Sequence, residues 1–355
     1  MPTSSTKRTL IAVAVILCVA AAGAGVYLYR QHRPLAGASS GAAPELLSQL
    51  PADAPAVGYI NVAALRELRS SPLAAILGLS SPGPQADREY AEFVRETGFD
   101  YTRDLDRAAI AAWPQSLVPP AGGMGENRIL AIADGRFNEE RIKTYALRTG
   151  RIVTHGTQSV YEVPGNPPLA FVFLSPIRIA LASGKNASEL ITASVGKPRD
   201  PGMQERIARV AGAPIFAVAR TDQLPSSFYA NLASSPQLER LARSVRGLSL
   251  AGQPDGDKIT VALDAECDSM TNALQLATLL DIFRMGSSMA LSDPKTRRQM
   301  TQEQAAFLRA VINQVKVTHQ DKWVRLTLDI TPEMLGATRS NSADLPPAAP
   351  RHERN

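Results

Sequence analysis

Cysteine is almost missing from this sequence. Cys18 and Cys267 are the only two, and Cys18 lies in an apolar run. The folded part therefore has no disulfide of its own and no thiolate cage for a metal. Histidine is scarce as well, with four copies. His32 and His352 lie in flanking linker and tail. His155 and His319 have no His, Cys or carboxylate partner at metal-ligand spacing, so no metal and no cofactor is expected. Aromatic residues make up only 5%. Trp113 and Trp323 stand in strand-like stretches and read as core or sheet surface rather than ligand platforms.

A charge surplus is also lacking where it would matter. The net charge of +5 comes from the ends. Lys7, Arg8, Arg30 and Arg33 meet no acid in residues 1–33, and Arg351 and Arg354 outnumber Glu353 in the tail. Residues 34–344 hold 32 basic and 32 acidic side chains, so nucleic acid is not an expected partner. Catalytic motifs are missing too. There is no Gly-x-Ser-x-Gly and no His-Glu-x-x-His. The stretch 182–188, ASGKNAS, has Ile179 where a phosphate loop needs its first glycine and Asn186 where it needs Ser or Thr. The Gly-rich stretch 122–127 lacks dinucleotide-binding spacing and reads as a loop. A non-local catalytic triad leaves no local motif, because its members meet only in the fold.

What is present begins with an address. Leu10 to Tyr29 is twenty residues without a charge. As a helix it spans about 30 Å, the thickness of a bilayer core, and Tyr27 and Tyr29 suit the interface. The reading is a transmembrane anchor with a cytoplasmic tail (1–9) and the long C-terminal part in the periplasm or outside the cell, carried on a bacterial inner membrane. The rival is a signal peptide cleaved near Ala22-Gly23-Ala24. A lipoprotein fits less well, because bulky Leu17 precedes Cys18. Residues 30–44 read as a linker and 339–355 as a disordered tail.

Between these lies a doubled pattern. Ala54-Pro55 and Ala213-Pro214 each open an apolar strand. Ser70-Ser71-Pro72 recurs at Ser234-Ser235-Pro236, and Val153-Thr154-His155 at Val317-Thr318-His319, both at an offset of 164. Each copy also holds a strand that hands over to a helix, ending at Asp134 in one and Asp264 in the other, 130 residues apart. The expected fold class is α+β: a first unit at 45–200 and a second at 201–338. Each has βαββαβ order with a mainly antiparallel sheet and helices on one face. The words should mark matching strands, and the two aspartates should coincide.

The opening Leu50-Pro51-Ala52-Asp53-Ala54-Pro55, followed by SSPL and later by FVFLSPIRIALASGKNASELITA, resembles uncharacterised bacterial ectodomains carried on a single membrane anchor, which begin with a Leu-Pro-x-Asp-x-Pro strand signature. The resemblance implies an envelope location and no catalysis, and it brings no functional residues with it.

The residues that stand out chemically are His155, His319, Asp134 and Asp264. The histidines read either as inherited strand-end residues facing solvent or as a symmetric pair of ligands or switches. The aspartates read either as helix caps or Asx turns or as an acid–base pair. The apolar stripe 273–283, ALQLATLLDIF, reads as core, with a partner contact as its alternative. The expected function is a non-enzymatic, membrane-anchored envelope protein that binds or scaffolds another envelope protein. The alternatives are a hydrolase with a site between the units and a small-ligand sensor or transport accessory.

Overall fold

The computed structural model describes residues 42–66, 88–113, 128–155, 158–165, 167–184, 186–192, 200–222, 236–255, 258–292, 302–331 and 334. The apolar run 10–29 and the Ser70–Pro72 and Ser234–Ser235 words lie outside them. Among the described residues no helix is long and apolar enough to cross a membrane.

In chain order, α1 (Ala42–Ser48) leads into β1 (Ala56–Asn61), which runs straight into α2 (Val62–Arg66). Then α3 (Arg88–Thr97) and α4 (Tyr101–Asp104) precede β2 (Leu105–Trp113) and β3 (Arg128–Gly135). After α5 (Glu139–Ala146) come β4 (Arg151–His155), β5 (Gln158–Val163), β6 (Leu169–Ser175), β7 (Arg178–Ser183) and α6 (Ala187–Thr192). The second part runs α7 (Pro201–Val210), β8 (Ile215–Arg220), α8 (Pro236–Ser244), β9 (Val245–Asp255) and β10 (Lys258–Cys267). It closes with α9 (Met270–Ser292), α10 (Gln302–Gln314), β11 (Lys316–Gln320) and β12 (Trp323–Ile330).

Local chemistry explains the helix starts. Asp200 accepts from the Met203 amide at 3.1 Å, and Pro201 occupies the first turn of α7, where its missing N–H costs nothing. Asn138 accepts from the Arg141 amide at 3.1 Å and opens α5. Ser269 does the same for α9, accepting from Asn272 at 3.2 Å.

All the described strands form one antiparallel sheet of twelve, in the order β11-β12-β10-β9-β8-β1-β2-β3-β7-β6-β5-β4. This corrects two expectations. The units do not carry separate sheets, and helices cover both faces. The seam is the pairing of β1 with β8. Each is an apolar opening strand with one otherwise unpaired edge, and pairing the two edges satisfies both rows of backbone groups. Tyr59 stacks on Phe216 across the seam, with ring centroids 5.5 Å apart.

One face is packed by α1, α6 and α7, whose Leu46, Leu190, Ile191 and Met203 meet Val57, Tyr59, Leu130, Ile132, Phe216 and Val218. Leu46 and Leu130 are fully buried, and each such side chain contributes about 1.5–3 kcal/mol of transfer free energy. The other face carries α5 over Ala108, Ala133 and Ile179. It also carries α9, whose Ala273 and Ala277 meet Ala265, Cys267 and Val324.

The two halves, β1–β7 and β8–β12, share a frame of backbone bonds. Asn61 N–H donates to Pro214 O, and Arg220 N–H to Pro55 O, each at 2.8 Å. The carbonyls of Pro55 and Pro214 thus help to fix the seam. Arg136 donates to Asp104 O as Asp268 does to Ser244 O, and Gly135 donates to Ile177 O as Cys267 does to Lys322 O. The bulges agree. The β2–β3 ladder skips Asp106 next to the Arg107↔Asp134 pair, and the β9–β10 ladder skips Arg246 next to Gly247↔Glu266.

This frame corrects the expectation that Asp134 and Asp264 coincide. The counterpart of Asp134 is Glu266, and Asp264 stands where the first half has Ile132. The Val-Thr-His words do not mark matching strands either. Val153–His155 lies on β4, four strands beyond β3, and Val317–His319 on β11, two strands beyond β10. A three-residue word does not encode a place in the sheet.

Candidate functional site

Three buried carboxylates point to the same face of the sheet, and each is closed by cations. In the first half, β3 presents Asp134 between two arginines from its neighbours. Arg107 on β2 donates at 2.8 Å, and Arg178 on β7 forms a two-pronged pair at 2.6 and 3.0 Å. Glu45 of α1 then closes on Arg178 at 2.8 Å. Burial pushes the Asp134 carboxyl up, but the hydrogen bonds from Arg178 and then Arg107 outweigh it and hold the group below the usual carboxylate range. Asp134 also helps raise the Arg178 guanidinium, as its first partner.

In the second half, Glu266 faces Arg206, which reaches down from α7, at 2.6 Å, and Lys322 at 2.7 Å. Arg206 and Glu266 are both buried, with side chains 8% exposed. Gly247 makes room: a Cβ built there collides with the Arg206 guanidinium. One register step away, Arg325 of β12 holds Asp264 with two bonds of 2.6 and 2.7 Å. Arg209 lies over the Trp323 ring, 4.1 Å from its centroid. The Lys322 ammonium is raised by its bond to Glu266, and the Arg325 guanidinium by its bonds to Asp264.

Neither aspartate caps a helix. Asn138 and Ser269 have those roles. Nor do they form an acid–base pair, since five inter-strand steps separate β3 from β10, about 24 Å at normal strand spacing. Carboxylates that cooperate in glycoside hydrolysis stand roughly 5–9.5 Å apart. A two-pronged arginine fixes the position of the carboxylate it holds. These are structural ion-pair clusters within the fold.

His155 and His319 do not converge. They lie on β4 and β11, the opposite edge strands, roughly 50 Å apart along the sheet. His319 is exposed. The symmetric-ligand reading falls on that distance. Among the described residues no three His, Cys, Asp or Glu side chains gather as a metal site. Cys267 is buried, and burial followed by the nearby Asp268 charge pushes its thiol up to about 11, which makes it a poor nucleophile.

An apolar recess lies on the second face, beside the seam, lined by Leu65, Ile215, Ala217, Leu250, Val261 and Ile330. Its volume is about 30 Å³, far below the several hundred Å³ of a small-molecule site.

Among the described residues, α9 carries the most exposed large apolar side chains. One side of this helix buries Ala273 and Ala277. The other bears Leu274 at 50%, Ile282 at 56%, Met285 at 54% and Met289 at 77% exposure. Positions 282, 285, 286 and 289 lie within about 100° of arc on a 3.6-residue helix. The sequence stripe 273–283 was thus core on one side only. Periodicity does not choose a side when both are apolar.

No protein-family profile and no curated protein matches the chain. Among solved structures, crystal form III of TP0453 is 10% identical, with 82% of this chain and 96% of that chain covered and a TM-score of 0.43. Form I is 11% identical over 82% and 94%, with a TM-score of 0.40. Form IV is 11% identical over 84% and 98%, with a TM-score of 0.44. These scores are too low for the likeness to carry a conclusion about this chain.

Proposed function

We propose that this is a non-enzymatic cell-envelope protein, anchored in a bacterial inner membrane through residues 10–29, whose folded part binds or scaffolds another envelope protein. The folded part consists of two copies of one α+β unit, roughly 45–200 and 201–338, fused into one sheet. The matched backbone bonds and bulges support the duplication. The uncharged twenty-residue run supports the address. The balanced charge of residues 34–344 argues against nucleic acid.

The observation that carries the binding reading is the outward face of α9. Its Ile282, Met285 and Met289 keep more than half of their surface in solvent, at a cost that a docked partner removes. The buried carboxylates are engaged in ion pairs within the fold, which supports a binding use of the surface.

The test is accessibility in place. In Cys18→Ser protein, Met289→Cys is compared with Glu140→Cys, whose native side chain is 86% exposed. In isolated native membranes a bulky maleimide should label position 289 at least tenfold more slowly than position 140. Equal labelling of both would remove the binding reading. N-terminal sequencing checks the anchor, and a mature start at Gly23 or Gly25 contradicts it.

A further inference from the structure

We propose that the outward face of α9 pairs with the same face of a second copy, antiparallel, about a two-fold axis between Met285 and Gly286. The proposal rests on the binding reading above and names its partner. It begins from a glycine without a reason. Gly286 sits inside a helix of 23 residues, where glycine costs about 1 kcal/mol relative to alanine. A Cβ at Gly286 would meet nothing within 4 Å, so no contact among the described residues requires its absence. The gap opens in the middle of the exposed apolar face, with Met285 beside it and Ile282 and Met289 on either side.

An antiparallel copy makes use of that gap. With the axis between 285 and 286, each Met285 drops into the space above the other copy's Gly286, and each Ile282 meets the other's Met289. The surface is its own complement, as a two-fold interface requires. Glycine allows the close backbone approach, and the flexible Met side chains fill the remaining space.

Charge favours protein over lipid as the occupant. A helix lying in a membrane surface carries a Lys- and Arg-rich polar side. In α9 the only charged residues are Asp281 and Arg284, and they pair with each other at 3.2 Å. Arg284 lies on the side of Ala273 and Ala277, and Asp281 between the two sides, so the exposed face itself carries no charge. One helix crossing buries little area, but a shared membrane anchor raises the local concentration of a second copy.

The test uses the full chain in mild detergent, with Cys18→Ser as background so that buried Cys267 is the one native thiol. Ile282→Cys and Met289→Cys proteins are oxidised separately and as a mixture. The antiparallel pairing predicts at least tenfold more cross-linked dimer in the mixture than in either alone. Gly286→Leu should abolish the cross-link yet leave the monomer's circular dichroism native-like and its melting no lower, because a Cβ there meets nothing within 4 Å and leucine is a better helix former than glycine. Gly286→Ala should raise the melting temperature of the monomer while weakening association.

Single variants that cross-link as well as the mixture would overturn the antiparallel arrangement, and an unchanged cross-link in Gly286→Leu would overturn the pairing. Protection of position 289 in native membranes alongside a strictly monomeric purified chain would remove the self-pairing and leave the binding reading standing. Protection of position 289 by protein-free lipid vesicles would assign the face to lipid, overturning both.

Discussion

The two halves of the sheet share a backbone frame and fill it differently. At one pair of positions the first half carries Ile132 and Ala180, both buried in the core under α1 and α6. At the matching positions the second half carries Asp264 and Arg325, and the Arg325 side chain is 45% exposed. On that side α7 packs over the β8–β9 part, and β10 and β12 present Lys258, Thr260 and Asp329 as a hydrogen-bonded, partly exposed group. At this pair of positions the residues under α1 and α6 are apolar, and where the arginine side chain reaches solvent they are an ion pair.

The buried carboxylate position differs in the source of its cations. Asp134 takes its arginines from neighbouring strands, whereas Glu266 takes one from the helix above, through space that Gly247 leaves open.

Removing cations should separate the halves most sharply. Arg206→Met leaves Glu266 buried with only the partly exposed Lys322, and a loss of about 3–5 kcal/mol is expected from urea denaturation. Arg107→Met leaves Asp134 its two-pronged Arg178 partner, so about 1–2 kcal/mol is expected. Equal losses would break the comparison. Gly247→Ala should come next. It drives a methyl into the Arg206 guanidinium and should cost about 1–3 kcal/mol, with Arg206→Met/Gly247→Ala losing less than the sum of the two single changes.

A pH effect should follow. The folded pKa of Asp134 lies below its unfolded value of about 3.9. Its stabilisation is therefore complete above the unfolded value and lost as pH falls through the folded one. Asp134→Asn should lower stability at neutral pH and flatten the acid limb below about pH 4. An unaltered limb would assign acid sensitivity elsewhere. The smallest effect concerns Cys267, the counterpart of Gly135. In Cys18→Ser protein its thiol should react at pH 8 less than about one-hundredth as fast in the native state as in urea.

Much of the fold was legible because local patterns mark local structure. Apolar runs near 128–134 and 257–264 marked strands, and the split of helices and strands marked the α+β class. Sheet order was not legible. No pattern in AVGYIN or IFAVAR names the edge it will meet, so the single sheet emerges only in three dimensions. The Val-Thr-His words promised a register that the strands do not keep.

For the candidate residues, strand-end placement exposed Asp134 and Asp264, but their partners Arg178 and Arg325 lie 44 and 61 residues away. Those pairs form because β7 and β12 return beside β3 and β10. Glu266 stood two residues beyond Asp264 and was missed, since nothing local ties it to Arg206, 60 residues earlier. Gly286 was equally silent, because a helical glycine becomes informative only once the space around it is known.

The central structural claim is that the halves form one body across the β1–β8 seam, and native-state hydrogen exchange at the Asn61 and Arg220 amides tests it most directly. Both donate across the seam to proline carbonyls at 2.8 Å. The account predicts that the two exchange at matched, slow rates, with an opening free energy close to that of global unfolding. Fast exchange at both amides while the core of β3 or β10 stays protected would contradict it, because the halves would then be separate bodies that merely touch.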